Sequence, residues 1–304
     1  MTTDFKAEAQ PVLSVVLASV ESRRSIECAV RALTATCRSL KTEIIVVDAS
    51  RDCSAEIVCR TDPDATVLTR PPGTITPDLW GDGIRASSGQ WVILTTGHCV
   101  VPEGWAPALV KALSGGAAAA GAGLKPTEEA GIVDLAVFFL RYHAFVGITE
   151  GGIRTTREIP GDNAAYRGDQ IRAYLESRGR GFFEVEYHRT LRETGGDVVA
   201  VPVAAAEFGH SFPLGTILRH RFAHGRQFGA WRTRQGGESS IGLALKAPLV
   251  PAVLLARARR NVLGNPELRR GLRRAGLPFL LLASAWAVGE AVGAILGPVP
   301  ANLT

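Results

Sequence analysis

The sequence predicts an α/β fold in which a doubly wound, mostly parallel sheet precedes a helical C-terminal extension. Three observations predict it: short apolar runs, helical stretches that separate these runs, and two long apolar segments near the C-terminus. The clearest run, Glu43–Asp48, places four consecutive β-branched residues before an acid. Such a run needs apolar cover on both faces, which is typical of a central strand in a parallel sheet.

Strand and helix patterns alternate through the first hundred residues. Strand patterns cover 12–18, 43–48, 66–69 and 91–95, and helical stretches begin after Glu21, at Ser54 and at Thr76. This alternation favours parallel strands joined by helical crossovers. Asp48 ends the second strand. Because ligands bind beyond the carboxyl ends of parallel strands, we predict that Asp48 faces a ligand.

The next hundred residues continue the pattern less clearly. Helices are predicted over 103–113, 132–146, 169–176 and 182–192, and a strand over 198–203. The aromatic residues of the second helix favour a packed core face. The small-residue stretch GGAAAAGAGL fits either a tightly packed strand or a flexible link, and both interpretations stay open.

Composition and charge limit the function classes. The 304 residues include 34 Lys and Arg against 29 Asp and Glu, a net charge of +5. This excess suits phosphorylated ligands or an anionic membrane surface, and it is too small to indicate nucleic acid as a partner. The five cysteines form no paired pattern, which favours reduced thiols in the cytoplasm.

The last sixty residues differ in character. Residues 241–256 and 277–297 are apolar apart from Lys246 and Glu290, and the segment between them is rich in arginine. One interpretation is a hairpin that lies in or dips into a membrane interface. The other is a pair of helices that packs on the domain or in a dimer, so a homo-oligomer stays open. We expect a location on the cytoplasmic side of a membrane, peripheral or shallowly inserted.

Six motifs follow one another along the first two thirds of the chain. They are VLSVVLAS, IIVVDASRDCSAEIV, TPDLWGDGIRASSGQWVIL, VVPEGW, PGDNAAYRG and FFEVEYHRTLRETG. In this order they resemble the inverting family-two glycosyltransferases, which have a Rossmann-like A-type nucleotide-sugar fold. The resemblance implies a tail at 1–10, a catalytic domain at 11–212 and an extension at 213–304. Within the domain it implies a nucleotide-binding half at 11–100 and an acceptor-binding half at 101–212.

The resemblance assigns the donor side to the ends of the first two strands. Ser19, Glu21 and Asp48 would offer oxygen atoms to the base and ribose of a nucleotide-sugar donor. Glu21 can equally serve as a helix-capping residue. If no metal is held, positive charge must stabilise the departing nucleoside diphosphate, and Arg85 is a donor-binding candidate for this role, as are Arg70 and the basic stretch His220–Arg226.

The family's paired metal-binding carboxylates are missing here. After the Trp91 strand the chain reads Leu94-Thr95-Thr96-Gly97-His98, which has no acid. Hydroxyl groups are poor substitutes for the oxygen anions that Mg²⁺ prefers. His98 could ligate Mn²⁺ or another transition ion, and His210 matches a position where relatives place a metal-binding histidine. Mn²⁺, Mg²⁺ and no metal all stay open.

The catalytic base is expected in the motif FFEVEYHRTLRETG. Counting back from Gly195 places Glu184 on the acid that deprotonates the acceptor hydroxyl, with Glu186 as a weaker substitute. A carboxylate at a helix N-terminus is held ionised by the helix dipole, whereas an apolar wall raises its pKa. Asn163 matches the asparagine of the acceptor-binding loop, although it also suits a turn.

Three functions are compared on these residues. The first is an enzyme that moves a sugar, with inversion, from a nucleoside diphosphate to a hydroxyl of a lipid-linked or glycan acceptor. The second is a catalytically silent relative that acts as a binding or scaffolding subunit in membrane polysaccharide assembly, as the missing carboxylates suggest. A soluble nucleotidyltransferase ranks last, because ASVESRR lacks the glycines of its phosphate-binding loop.

Overall fold

The computed structural model describes residues 11–148, 151–178, 181–209, 213–234 and 237–298. Its first part has the predicted alternation of strands and helices: β1 (Leu13–Ser19), α1 (Ile26–Cys37), β2 (Thr42–Asp48), α2 (Ser54–Thr61), β3 (Thr66–Thr69), α3 (Thr76–Ala86) and β4 (Trp91–Thr96). These four strands lie side by side in the order β3-β2-β1-β4, and all are parallel. The predicted doubly wound sheet is confirmed.

The second part of the chain extends the same sheet. Its elements are β5 (Cys99–Val100), α4 (Trp105–Ser114), β6 (Ala119–Gly121), β7 (Leu124–Pro126), α5 (Ile132–Tyr142), β8 (Arg154–Thr155), β9 (Ala164–Arg167), α6 (Gly168–Arg178), α7 (Glu184–Glu193), β10 (Val198–Ala200) and β11 (Ala206–Phe208). The large sheet continues as β9-β6-β10-β8, and β9 is antiparallel to both of its neighbours. Strands β5, β11 and β7 form a small second sheet.

Two of these strands were not fixed by the sequence pattern. The stretch GGAAAAGAGL contains a strand, β6, rather than a flexible link. Strand β9 was not predicted, because its four residues directly follow the 3-10 turn Gly161–Asn163 and begin with two alanines. Since β9 lies between β4 and β6, both predicted halves of the domain share one sheet. The predicted boundary at residue 212 lies outside the described residues.

The strand run that predicted the fold is buried on both faces, as expected. Ile44 and Val46 pack on the face covered by α1 and α4, while Ile45 and Val47 pack on the face covered by α3. All four side chains are at most 8% exposed. Burial of such a side chain contributes roughly 1.5–3 kcal/mol to folding, so this strand anchors the layers on both sides of the sheet.

The C-terminal region is helical and forms a third core with α5. It contains α8 (Leu214–Arg234), α9 (Ser240–Lys246), α10 (Val250–Asn261), α11 (Pro266–Arg274) and α12 (Gly276–Leu296). Phe138, Phe139 and Tyr142 of α5 pack against Phe279 and Leu282 of α12. By length and composition alone, Ser240–Asn261 and Gly276–Leu296 could each cross a membrane, and only a small share of the first is buried.

Candidate functional site

A cavity of about 480 Å³ opens at the carboxyl ends of β1 and β4. The loop after β1, the end of β4 and the turn before α3 form one side, and α5 and α8 form the other. This volume falls in the range of about 300–1,000 Å³ that is common for ligand sites. The cavity therefore lies where a parallel sheet places its ligand.

The structure brings three predicted donor-binding residues together around one serine. Ser50 Oγ donates a hydrogen bond to Asp48 Oδ1 at 2.7 Å and accepts one from the Glu21 amide at 2.8 Å. Ser19 Oγ lies 3.4 Å from the same hydroxyl. Glu21 lines the cavity with its backbone in the left-handed region, at a φ of 51°. Ser19 and Asp48 are buried directly behind it.

Arg85 lies on the last turn of α3, and it is not among the residues that line the cavity. Its guanidinium is 3.5 Å from Asp82, which also pairs with Arg70 at 2.5 Å. Two of the arginines that the sequence offered as diphosphate ligands, Arg70 and Arg85, therefore contact an acid of α3. This geometry gives the predicted donor contact of Arg85 no support.

His98 reaches the cavity, but its ring nitrogens hold the loop after β1. Nε2 donates to the Val20 carbonyl at 3.0 Å, and Nδ1 lies 3.4 Å from the Ser25 hydroxyl. A protonated nitrogen cannot ligate a metal. The predicted second ligand, His210, lies outside the described residues. Among those residues, no three His, Cys, Asp or Glu side chains converge as metal ligands. The described groups alone therefore do not supply a ligand set for a resident divalent cation.

An acid that no sequence pattern singled out, Asp162, contacts two residues of the cavity lining, Arg141 and Thr96. Asp162 is 2% exposed, and its Oδ1 accepts a hydrogen bond from Arg141 at 2.7 Å. Its Oδ2 accepts from the Tyr142 phenol, and Thr96 Oγ1 is 3.5 Å away. Burial opposes the charge of Arg141, but Asp162 beside it raises the Arg141 pKa above its ordinary value. Asp162 thus holds Arg141 charged at the cavity wall.

Asn163, the neighbour of Asp162, has a structural role. Its amide oxygen accepts from the Trp105 indole, and its amide nitrogen donates to the Gly123 carbonyl at 2.9 Å. The residue is fully buried, so its amide is directed into the protein. The acceptor contact predicted for Asn163 is not supported. The motif PGDN does contain a residue of the site, but that residue is the acid Asp162 rather than Asn163.

Glu184 begins α7 and lies beside this cluster. A Cβ placed on Gly161 would be 3.0 Å from the Glu184 carboxyl carbon, so the carboxyl group packs against the turn that carries Asp162. Burial raises the pKa of Glu184 and nearby Asp162 adds to this, against the lowering effects of the Glu184 backbone amide, His188 and Arg141. A partly buried carboxyl with a raised pKa is suited to accept a proton near neutral pH.

Glu186, the weaker candidate for the base, is occupied elsewhere. It is 5% exposed and pairs with Arg178 at 3.0 Å. This ion pair joins the first turn of α7 to the end of α6. The geometry therefore favours Glu184 over Glu186.

Helix α8 supplies a second arginine to the cavity. Arg221 is 8% exposed, lines the cavity, and donates a hydrogen bond to His224 Nδ1 at 2.6 Å. Burial and the nearby Arg141 lower the pKa of Arg221 to about 10, so it remains charged at neutral pH. Burial, Arg221 and Arg141 lower the pKa of His224 well below 6.5, which leaves that imidazole neutral.

Glycines hold α8 in place against α12. A Cβ at Gly225 would lie 2.1 Å from the Trp286 carbonyl, and one at Gly229 would lie 2.0 Å from the Glu290 carbonyl. A Cβ on Gly289 or Gly293 of α12 would meet the α8 backbone at 2.1 or 1.8 Å. The two helices thus cross with their backbones in contact. This contact holds α8 in the position from which Arg221 lines the cavity.

Comparison with known proteins agrees with the fold described above. Residues 14–135 match the family described as Glycosyl transferase family 2. No curated protein matches the chain in sequence. A mannosyltransferase from Pyrobaculum calidifontis, solved with GDP-Man and Mn²⁺, is 18% identical with a TM-score of 0.51, over 95% of this chain and 88% of that one.

A second solved structure is similar to the same extent. Residues 1–349 of TarS from S. aureus, in complex with UDP-GlcNAc, are 11% identical with a TM-score of 0.50. The alignment covers 91% of this chain and 92% of that one. At these identities the likeness shows a shared fold.

Proposed function

We propose, from the premise that residues 14–135 form a family 2 glycosyltransferase domain with the A-type fold, that this chain transfers a sugar from a nucleotide sugar to an acceptor hydroxyl with inversion. The observation that carries the proposal is Glu184. Its carboxyl group, with a raised pKa, lies close to Asp162 and Arg141. Arg141 lines the cavity that opens at the ends of β1 and β4.

The donor is a nucleoside diphosphate sugar. Ser19, Glu21 and Asp48 surround Ser50 at the nucleotide side of the cavity. Glu21 lines the cavity, where its oxygen atoms can accept hydrogen bonds from the base and the ribose, and the buried Ser19 and Asp48 support the loop behind it. The two solved structures of similar fold contain GDP-Man and UDP-GlcNAc, which supports a donor of this class.

The reaction is a single displacement. The acceptor oxygen attacks the anomeric carbon from the face opposite the diphosphate, and the bond between that carbon and the diphosphate oxygen breaks. The nucleoside diphosphate leaves with the bonding electron pair, and the acceptor proton passes to the Glu184 carboxylate. Asp162 holds Arg141 in position, so that fixed positive charge faces the negative charge that develops on the leaving group.

The acceptor is lipid-linked or a glycan at the bilayer surface. Few residues of the apolar segment Ser240–Asn261 are buried, and Arg257, Arg259 and Arg260 at its end are exposed. This combination suits the headgroup region of an anionic membrane. We place the protein on the cytoplasmic face of that membrane, peripheral or shallowly inserted, where it meets an acceptor that cannot leave the bilayer.

A donor screen with Glu184→Gln tests the proposal. Purified full-length protein is incubated with a panel of nucleotide sugars and membrane-lipid acceptors, with EDTA or Mn²⁺, and products are identified by mass spectrometry. We expect one donor to be consumed by the native protein, and we expect Glu184→Gln to bind that donor with little change while transfer falls about 10²-fold or more. Glu186→Gln is the matched control and should keep most of the activity.

Two results would contradict the proposal. Turnover by Glu184→Gln at the native rate would remove the assigned base. A folded protein that binds no nucleotide sugar under any condition would favour the alternative, a catalytically silent subunit of a membrane polysaccharide-assembly complex.

A further inference from the structure

Arg221 is a buried charge whose compensation in the protein is incomplete. It is more than nine-tenths buried, and the partner the structure gives it is the neutral His224. Among the residues that the structure describes, Arg221 forms no ion pair with a carboxylate, whereas Arg141 pairs with Asp162. A buried guanidinium without a counter-charge is costly. The part of the cavity that Arg221 lines is therefore suited to bind an anion.

The other charged residues around the cavity also favour the binding of an anion. The lining includes Arg23, Arg24, Arg141 and Arg221 but only two acids, Glu21 and Asp52. Asp52 accepts hydrogen bonds from the Arg23 amide and from the Ser54 hydroxyl, so it joins the start of α2 to the loop after β1. His220 and His224 on α8 add no charge at neutral pH, because burial first and the neighbouring arginines second lower the pKa of both.

The end of β4 has neutral groups where family relatives carry carboxylates. Thr96 Oγ1 is directed to Asp162 and Cys99, and His98 is bonded to the loop after β1. Arg141 and Arg221 reach the same cavity from α5 and α8. Two guanidinium groups can bind a diphosphate through several charge-assisted hydrogen bonds, and they neutralise its charge without a metal ion.

We propose that Arg141 and Arg221 form the diphosphate-binding subsite of the donor, and that this subsite works without a divalent cation. The inference rests on the proposed function, because it assigns the diphosphate to a nucleotide-sugar donor. When the bond to the anomeric carbon breaks, the leaving diphosphate gains one negative charge, and the two guanidinium groups stabilise it. Arg221 then obtains a direct ionic partner, which no carboxylate of the described residues provides, since Asp162 and Glu184 act on its charge without pairing with it.

Calorimetric titration of the full chain tests the subsite. Inorganic pyrophosphate, UDP and GDP are the probes, each in EDTA and in Mn²⁺. We expect pyrophosphate and at least one nucleoside diphosphate to bind in EDTA, with the nucleotide tighter, and Mn²⁺ to change the affinity by less than about twofold. Arg221→Gln should weaken both probes by about tenfold or more, as the loss of a charged hydrogen bond implies. Arg219→Gln, which removes an exposed charge from the same helix, should change neither.

Thermal unfolding separates a binding role from a structural one. Without ligand, Arg221→Gln should melt at or above the temperature of the native protein, because an uncompensated buried charge is removed. With pyrophosphate, the native protein should gain stability, the variant should gain much less, and Arg221→Lys should recover part of the gain. A strongly destabilised Arg221→Gln protein would mean that Arg221 is structural and would overturn the proposal.

The outcomes also separate this inference from the proposed function. Transfer that strictly requires Mn²⁺, with no pyrophosphate binding in EDTA, overturns the arginine subsite and leaves the glycosyltransferase proposal in place. Binding of pyrophosphate and nucleotide in EDTA through Arg221, without sugar transfer to any acceptor, supports the subsite and counts against the enzyme. Equal affinity of native protein and Arg221→Gln for every probe overturns the subsite directly.

Discussion

Glu184 packs its carboxyl group against Gly161, so closely that a Cβ at position 161 would lie 3.0 Å from Glu184 Cδ. On its other side the same Cβ would lie 3.1 Å from the Trp80 ring. Trp80 is fixed in the core, where its indole donates to the Thr95 carbonyl at 2.9 Å. Any group added at Gly161 therefore has to displace Glu184 rather than Trp80.

We predict that Gly161→Ala lowers kcat by about tenfold, because a shift of a few tenths of an ångström moves Glu184 away from the acceptor hydroxyl. Donor affinity should change little, since the nucleotide side of the cavity is unaffected. Steady-state kinetics with the donor found by screening measure both parameters. Gly152→Ala is the control, because a Cβ there meets no atom within 4 Å. Equal kcat values for the two variants would contradict the assigned position of Glu184.

The raised pKa of Glu184 predicts the acidic side of the pH profile. Burial, together with Asp162, holds the carboxyl pKa above its ordinary value of 4.5. The base works only when ionised, so kcat/KM should be low below this raised pKa and should increase with pH through it. Activity assays across the acidic range locate the midpoint. Enzyme returned to neutral pH should recover full activity, which excludes acid unfolding as the cause. A rate that stays constant down to pH 4.5 would disagree with the raised pKa.

The helix crossing between α8 and α12 predicts a strong position dependence for alanine substitution. A Cβ at Gly229 would lie 2.0 Å from the Glu290 carbonyl, so Gly229→Ala must force the helices apart and should lower the free energy of unfolding by about 1–3 kcal/mol. Gly215→Ala, on the same helix, meets nothing within 4 Å and should be neutral or stabilising by up to about 1 kcal/mol. Denaturant unfolding measures both changes.

The crossing of α8 and α12 should also affect pyrophosphate binding. Because Gly229 and Arg221 lie on one helix, Gly229→Ala should weaken pyrophosphate binding even under conditions in which the variant remains folded. Circular dichroism confirms the folded state before titration. A variant that loses stability but binds pyrophosphate like the native protein would show that the crossing does not position Arg221.

The sequence predicted the sheet better than the site. The run Ile44–Val47 is apolar on both faces, and this local pattern correctly indicated a central strand that ends at Asp48. Asp162 and Arg141, by contrast, meet only because the turn Gly161–Asn163 and the end of α5 are brought together by tertiary packing. Nothing within either segment marks this pair. The aromatic pattern of α5 predicts a helix packed in the core, and it does not single out Arg141.

The position of Arg221 depends on still more distant residues. Its sequence neighbourhood is a run of histidines and arginines typical of a solvated basic helix. Burial of Arg221 follows from the contact of α8 with α12, about seventy residues later, through glycines whose role depends on their partner helix. Pattern reading could therefore propose the basic stretch but could not select the residue within it.

The exposed apolar face of the C-terminal region predicts membrane binding. Ile241 and Leu245 are 72% and 75% exposed on α9, and the arginines of α11 at 269, 270, 273 and 274 are exposed as well. We expect the protein to sediment with vesicles that contain an anionic lipid and much less with neutral vesicles. The difference should shrink as salt is raised, since salt screens the arginine contribution.

Substitution of the apolar face separates membrane binding from self-association. Ile241→Asp and Leu245→Asp should each lower the vesicle partition coefficient by about tenfold or more, because insertion of such a side chain contributes roughly 1.5–3 kcal/mol. Ile153→Asp, at a residue of 56% exposure outside the helical extension, should have no effect. Light scattering in the absence of lipid tests the alternative in which a second copy covers this face. In that case the native protein is a dimer, and the aspartate variants become monomeric without any change in vesicle binding. If the variants instead lose vesicle binding while the mass in solution stays constant, the face binds lipid, as expected for an enzyme that acts on a membrane-bound acceptor.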